Sequence, residues 1–323
     1  DFWRVLPGQG LYHDPEMFDA DGKRVWPGYV TDLITDMALE WLQLRDEKRP
    51  FCLAVHHKAP HRPWEPDAEH AQMYKGEAIP EPETFNDDYT NRASAASAAT
   101  MRVDRDLNQT DLKQPVPEGL SRSGEKSWKY QRYIKDYLRV VASIDDNVGR
   151  LLDYLEEEGI ADDTIVIYTS DQGFFLGDHG WYDKRFMYEE SLRMPFVVRY
   201  PSEVEPGTVN GDIVLNVDFA PLFLDYAGLE IPSAFQGESF RPLLQGHRPR
   251  DWRQSMYYRY WMHKAHHNVY AHYGVRTKQY KLIYYYADAL GQLGAIDVRH
   301  EPEWELFDLA KDPYELNLSL IHI

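Results

Sequence analysis

The sequence is poor in cysteine, in positive charge and in long apolar runs, and each shortage removes a class of protein. A single cysteine, Cys52, stands among 323 residues, which excludes an internal disulfide framework and a cysteine-rich metal site. Lysine and arginine number 35 against 53 aspartates and glutamates, a formal net charge of -18. A surface of that sign repels a phosphate backbone, so neither nucleic acid nor an anionic membrane is an expected partner. A polyanionic ligand would need a local basic pocket. No run of about eighteen apolar residues occurs, so no membrane-spanning helix is expected. No domain-scale repeat is visible, and the chain opens on Asp1-Phe2-Trp3 with neither initiator Met nor signal peptide, as though inside a domain. What is present is a globular composition, 43% apolar, in a chain long enough for one large α/β domain or two ordinary ones.

Along the chain, helical and extended patterns alternate. Residues 1–27 are rich in Pro, Gly and aromatics and read as irregular loop. From Tyr29 to Leu44 the apolar positions Val30, Leu33, Ile34, Met37, Ala38, Trp41 and Leu42 recur at three and four residues, predicting a helix with one buried stripe. Pro50 to His56 is a short apolar run that reads as a strand, with Cys52 as a small buried hydrophobe within it. Residues 65–127 are polar, contain an Ala/Ser tract and show no sustained periodicity, which reads as an insertion able to shape substrate selection. Asn108-Gln109-Thr110 fits a glycosylation sequon, a pattern short enough to arise by chance. Between Ser127 and Glu158 the stripe Tyr133, Tyr137, Val140, Val141, Ile144, Val148, Leu151, Leu152 and Leu155 predicts a long helix, stopped at Gly159. Its Asp145 and Asp146 read as surface or packing carboxylates. Strands are expected at Thr164–Tyr168 and Pro195–Tyr200, and a helix at Asp218–Ala227. From Met256 onward tyrosine-rich runs, then WELFDL and DPYELN, read as antiparallel strands of a smaller sheet.

Chemistry concentrates in two loops. After the strand ending at Tyr168 comes Ser170-Asp171-Gln172-Gly173, at the carboxyl end of a strand, where open α/β sheets bind ligands. Gly177-Asp178-His179-Gly180 and Lys184 follow before the next strand. Taken alone, Asp171 and Gln172 fit a turn or helix cap as well as a site. His179 fits either substrate contact or a structural hydrogen bond. The other loop, His56-His57-Lys58-Ala59-Pro60-His61-Arg62-Pro63-Trp64, is a cationic cluster held extended by two prolines, and a solvated surface is its plainer reading.

The run SDQGFFLGDHGWYDKRFMYEESLRMPFVVRYP, with HKAPH upstream and the ending ELFDL and DPYELN downstream, resembles the type I sulfatases of the alkaline-phosphatase-like superfamily. The likeness is nearest to iduronate-2-sulfatase-like bacterial members. It implies an α/β fold, a mixed sheet sandwiched by helices over residues 1–250, with a smaller antiparallel subdomain at 251–323. It implies hydrolysis of sulfate esters on a sulfated sugar or polysaccharide, in a periplasmic or extracellular setting. By the same resemblance Asp171 and Gln172 are ligands of Ca2+ or Mg2+, Lys184 holds a sulfate oxygen, His61 is the general acid, and Lys58 and His179 bind substrate. Family members commonly have Asn or His where Gln172 stands.

The family's nucleophile is a formylglycine made within a C/S-x-P-x-R segment, followed by a GKWH-like Lys and His, and an aspartate pair near the N-terminus binds the metal. None of these occurs here, and Cys52, followed by Leu-Ala-Val, does not fit. The expectation is therefore an N-terminally truncated sulfatase, inactive alone, whose last residues, 318–323, resemble translated adapter sequence rather than the family's charged C-terminal helix. Two other readings stay open: a phosphonate or phosphate ester hydrolase of the same superfamily, and a non-catalytic glycan-binding remnant.

Overall fold

The computed structural model describes residues 2–319, so residues 320–323 of the adapter-like tail lie outside it. Its helices are α1 (Val30–Leu44), α2 (Ser94–Ala98), α3 (Gln109–Leu112), α4 (Arg122–Glu157), α5 (Glu189–Leu192), α6 (Phe219–Tyr226) and α7 (Arg241–Leu244). Its strands are β1 (Glu16–Asp19), β2 (Gly22–Val25), β3 (Val166–Thr169), β4 (Phe175–Leu176), β5 (Tyr182–Asp183), β6 (Phe196–Arg199), β7 (Ser255–Tyr260), β8 (His272–Thr277), β9 (Tyr280–Tyr285) and β10 (Glu303–Asp308). The chain divides into two compact units, Asp1–Glu81 with Leu107–Thr164, and Pro82–Asp106 with Ile165–Ile323.

The first unit is built on α1 against α4. Ser121 caps α4, its hydroxyl accepting from the Gly124 N–H at 3.1 Å, so the helix starts earlier than its apolar stripe does. Tyr133, Val140, Ile144 and Leu155 of that stripe are buried. Asp145 and Asp146 are exposed on the opposite side. A polar bond joins the two helices, Asn147 Nδ2 donating to Asp32 Oδ1 at 2.7 Å. Buried on α4 is Asp136, a carboxylate that must be compensated, and Lys113, Arg132 and Arg139 surround it at 2.6 to 2.8 Å. Asn108 of the sequon is the N-cap of α3, its side-chain oxygen accepting from Thr110 and Asp111 N–H.

The expected strand at 50–56 is not formed. The segment has no ladder partner among the described residues, and its burial alternates, Phe51, Leu53 and Val55 half-covered and Cys52, Ala54 and His56 exposed. Cys52 is accordingly an exposed thiol and not the buried hydrophobe expected. Strand-like composition is not enough, because a strand also needs a paired neighbour.

In the second unit β3 and β6 bracket the 170–193 loop, as expected, and pair antiparallel with Ile167 opposite Val198. All strand pairs among the described residues are antiparallel. The tyrosine-rich stretch forms a four-stranded sheet in the order β10-β9-β8-β7. Its period-two alternation buries His272, Gly274, Ile283, Tyr285, Glu305 and Phe307 on one face and leaves Tyr257, Val275 and Trp304 exposed on the other. The buried face packs on an aromatic core beneath the loop, where Phe186 stacks on Trp181 at 4.9 Å and meets Tyr285 at 6.3 Å. DPYELN does not continue this sheet. It folds back after β10, burying Glu315. The 82–106 part of the expected insertion is woven into this unit, with Ala95, Ala96, Ala99, Met101 and Val103 buried.

Candidate active site

β3 ends at Thr169, and the turn that follows places Asp171 exposed and Gln172 half-buried. The turn lies hard against α5. Gly173 N–H donates to the Ser191 carbonyl at 2.9 Å, and a Cβ on Gly173 would stand 2.0 Å from the Glu190 carbonyl oxygen and 2.6 Å from that of Arg193. Only glycine fits so close an approach. On its other side Asn216 Nδ2 donates to the Asp171 carbonyl at 2.9 Å. The backbone of the turn is therefore fixed at two points, and the Asp171 carboxylate, whose Oδ1 accepts from the Ser170 hydroxyl at 3.3 Å, and the Gln172 amide are hard oxygen donors, the kind calcium and magnesium prefer. They suit such an ion in kind but supply only two of about six to eight oxygens. No group of three or more His, Cys, Asp or Glu gathers for a metal among the described residues.

Lys184 follows β5 and is buried, with 8% of its surface exposed. Its ammonium lies 5.6 Å from the Phe174 ring centroid. Burial lowers its pKa, opposed by Asp183, assisted by Arg185 and opposed again by Asp171. Both residues flanking Lys184 adopt left-handed backbone, Asp183 at φ 77° and Arg185 at φ 101°. Such conformations are costly outside glycine and persist where surrounding bonds over-determine them. Here Asp183 Oδ1 accepts from Lys184 N–H at 2.8 Å, and its Oδ2 lies 3.4 Å from His267 Nε2. Burial would raise the Asp183 carboxyl, but the His267 hydrogen bond, Lys184 and Arg185 together hold it well below the usual range. His267 is itself fixed by Thr100, whose N–H donates to the His267 carbonyl and whose carbonyl faces His267 Nδ1 at 2.8 Å.

His179 is fully buried and held on three sides. Its N–H donates to Thr84 Oγ1 at 2.9 Å, its carbonyl accepts from Tyr89 at 2.7 Å, and its Nδ1 lies 2.8 Å from Asp87 Oδ2. Asp87 in turn pairs with Arg92. The fourth side is looser, with Nε2 at 3.8 Å from Glu190 Oε2. Burial pushes the Glu190 carboxyl up to about 7, against the opposing pull of His179, with Glu315 and Asp178 raising it further. Its neighbour Glu189 is the firmly paired carboxylate, with Arg276 and Lys281 each at 2.9 Å.

Lys58 and His61 belong to the first unit. Their loop is bracketed by two cis X-Pro bonds, Ala59-Pro60 and Arg62-Pro63. His61 N–H donates to the Lys58 carbonyl at 2.9 Å, and its Nδ1 faces the Arg62 carbonyl at 2.7 Å. A carbonyl only accepts, so Nδ1 carries a proton. Trp64 roots the loop, donating from Nε1 to the Pro60 carbonyl at 2.8 Å and packing on Tyr133 of α4 at 4.6 Å between centroids. Arg62 pairs with buried Asp111. Lys58 is buried over the Tyr12 ring at 4.7 Å, and burial lowers its pKa to about 8, with Glu65 opposing.

Sequence reasoning missed Asp183, His267, Asp87 and Ser191. Asp183 adjoins Lys184 and His267 stands in a His-His pair, but their partners lie far apart in sequence, so no local spacing betrays them.

A family model described as Sulfatase matches residues 2–229, and one described as N-sulphoglucosamine sulphohydrolase, C-terminal, matches residues 177–321. An N-acetylglucosamine-6-O-sulfatase of Bacteroides thetaiotaomicron is 43% identical, over 98% of this chain and 63% of its own length. An arylsulfatase of Clostridium perfringens is 29% identical, over 89% of this chain and 53% of its own. A solved protein in complex with its substrate D-glucosamine-2-N,6-O-disulfate superposes with a TM-score of 0.91 at 41% identity, over 98% of this chain and 71% of that one. Residues 1–323 thus span less than two thirds of the curated relatives named.

Proposed function

Because this chain belongs to the sulfatase family, we propose that the protein hydrolyses sulfate esters of glucosamine residues in sulfated glycans, at the 6-oxygen. One observation supports this most: the 43% identity that extends over 98% of the chain to an N-acetylglucosamine-6-O-sulfatase. Those relatives narrow the sulfated sugar or polysaccharide expected from the motifs to glucosamine.

Within it, Lys184 holds a sulfate oxygen as a point charge, which burial in a low-dielectric setting strengthens. His61 protonates the leaving oxygen, because imidazole titrates near neutral pH. Lys58 assists with a second positive charge. Asp171 and Gln172 would hold a calcium or magnesium ion, which when bound neutralises charge on the sulfate. His179, buried and engaged on three sides, is assigned to holding the loop and not to touching substrate.

No Cys or Ser of the chain stands in a C/S-x-P-x-R segment. In this reading the formylglycine comes from sequence beyond residues 1–323, which turn nothing over unaided. Residues 1–250 then form the catalytic portion and 251–323 the C-terminal subdomain. A periplasmic or extracellular setting suits a glycan substrate. No helix of the described residues is long and apolar enough to cross a membrane.

Turnover by the full-length protein tests the reading. N-acetylglucosamine-6-sulfate is the expected substrate, with little activity on an aryl phosphonate. Phosphonate turnover without sulfate turnover would replace the sulfatase reading, and binding of the glycan without turnover of either would favour a glycan-binding role.

A further inference from the structure

We propose that Ser191 is a positioning residue that ties the candidate metal turn to the candidate sulfate-binding lysine. Ser191 is buried on α5 and uses two different oxygens for the two halves of the loop. Its carbonyl accepts from Gly173 N–H at 2.9 Å, directly after Asp171 and Gln172. Its hydroxyl accepts from Arg185 N–H at 3.0 Å, directly after Lys184. Arg185 is the residue at φ 101°, a backbone conformation that needs outside support. That support is a bond at each end, Ser191 Oγ on its N–H and the Tyr258 hydroxyl on its carbonyl at 2.9 Å. Removing one end frees the peptide that aims Lys184.

α5 can serve as a fixed reference only if it is itself held, and four residues cannot hold themselves. The holding groups come from the C-terminal sheet and the turn after it. Glu315 Oε2 accepts from Glu189 N–H at 2.7 Å, at the start of α5. Fully buried Lys281 of β9 sits between Glu189 at 2.9 Å and Glu315 at 2.7 Å. The fold-back of DPYELN, which leaves the sheet, therefore reaches the site through Ser191.

The inference rests on the sulfatase reading for the roles of Asp171 and Lys184, and its test separates the two. In the full-length protein, inorganic sulfate binding and calcium binding are measured by calorimetry alongside turnover of N-acetylglucosamine-6-sulfate, for the wild type, Ser191→Ala and Ser191→Thr. The alanine variant loses one hydroxyl acceptor and keeps the carbonyl, so sulfate affinity and kcat/KM should each fall about tenfold, the loss of one buried hydrogen bond. Calcium affinity should move less than twofold. Threonine, which restores the hydroxyl, should recover most of the loss. Sulfate affinity unchanged in Ser191→Ala, or sulfate and calcium affinity lost together without rescue by threonine, would overturn the positioning role. A wild type that binds sulfate in a Ser191-dependent way yet turns over no sulfate ester would overturn the sulfatase reading alone.

Discussion

Lys58 and Lys184 are both buried lysines with lowered pKa values on loops, yet the two loops draw their distant supports from different units. The Lys58 loop combines local bonds with anchors elsewhere in the first unit: the Tyr12 hydroxyl donates to the His61 carbonyl at 2.6 Å, His57 Nε2 lies 3.0 Å from Thr35 Oγ1, and Arg62 pairs with Asp111. His61 bonds to the Lys58 and Arg62 carbonyls, and Trp64 to that of Pro60, all within four residues. The 170–193 loop is held from afar, by Thr84, Asp87, Tyr89, Asn216, Tyr258, His267, Lys281 and Glu315. Local bonds tolerate change elsewhere in the chain, whereas bonds to distant partners transmit it. The distant partners are mainly buried polar groups, whose loss leaves an uncompensated donor or charge.

Gly173→Ala should disturb the 170–193 loop most. The added methyl would need to share space with the Glu190 carbonyl oxygen, 2.0 Å away, so the turn or α5 must move. Calcium-dependent turnover of the full-length protein should fall by about a hundredfold, since small displacements of an aligned site are expensive. Activity within twofold of wild type would show that the turn need not sit against α5.

Glu190→Gln tests the network by pH. The folded-state pKa of Glu190, about 7 against an ordinary 4.5, means its contribution to stability is complete below about pH 4.5 and is lost as pH rises through 7. The loss amounts to about 3 kcal/mol, at 1.36 kcal/mol per pKa unit. Glutamine stays neutral, so denaturant titrations should find the variant more stable than wild type at pH 8 and close to it at pH 4. An identical pH dependence in both proteins would remove Glu190 as a source.

The smallest effect belongs to the Lys58 loop. Asn108 caps the helix that presents Asp111 to Arg62, and Asn108→Ala should cost about 1 kcal/mol of stability with no change in calcium affinity. A larger loss, or altered calcium binding, would contradict that ranking.

This contrast accounts for what the sequence made legible. The helices α1 and α4 and the strands β3 and β6 to β10 follow from apolar spacing, which is local. The candidate residues themselves were visible as Asp171, Gln172 and Lys184 after a strand and Lys58 and His61 beside two prolines. What could not be read was supplied by distant partners. Pro50 to His56 has strand composition without a described pairing partner, which leaves Cys52 exposed. DPYELN looks like a further strand, but burial of Glu315 against Lys281 and α5 wins over pairing. Arg185 shows no sign of left-handed backbone in its residue type, because Ser191 and Tyr258 hold its backbone from outside the segment.

The central claim is that the distantly held loop aims Lys184 at a sulfate oxygen. Its most direct measurement is kcat/KM for N-acetylglucosamine-6-sulfate in the full-length protein carrying Lys184→Ala, with thermal stability followed in parallel. The expected result is a fall of about a hundredfold or more, the scale of losing one charged group that stabilises a developing anion, with the fold intact. A folded variant that retains kcat/KM within twofold of wild type would contradict it.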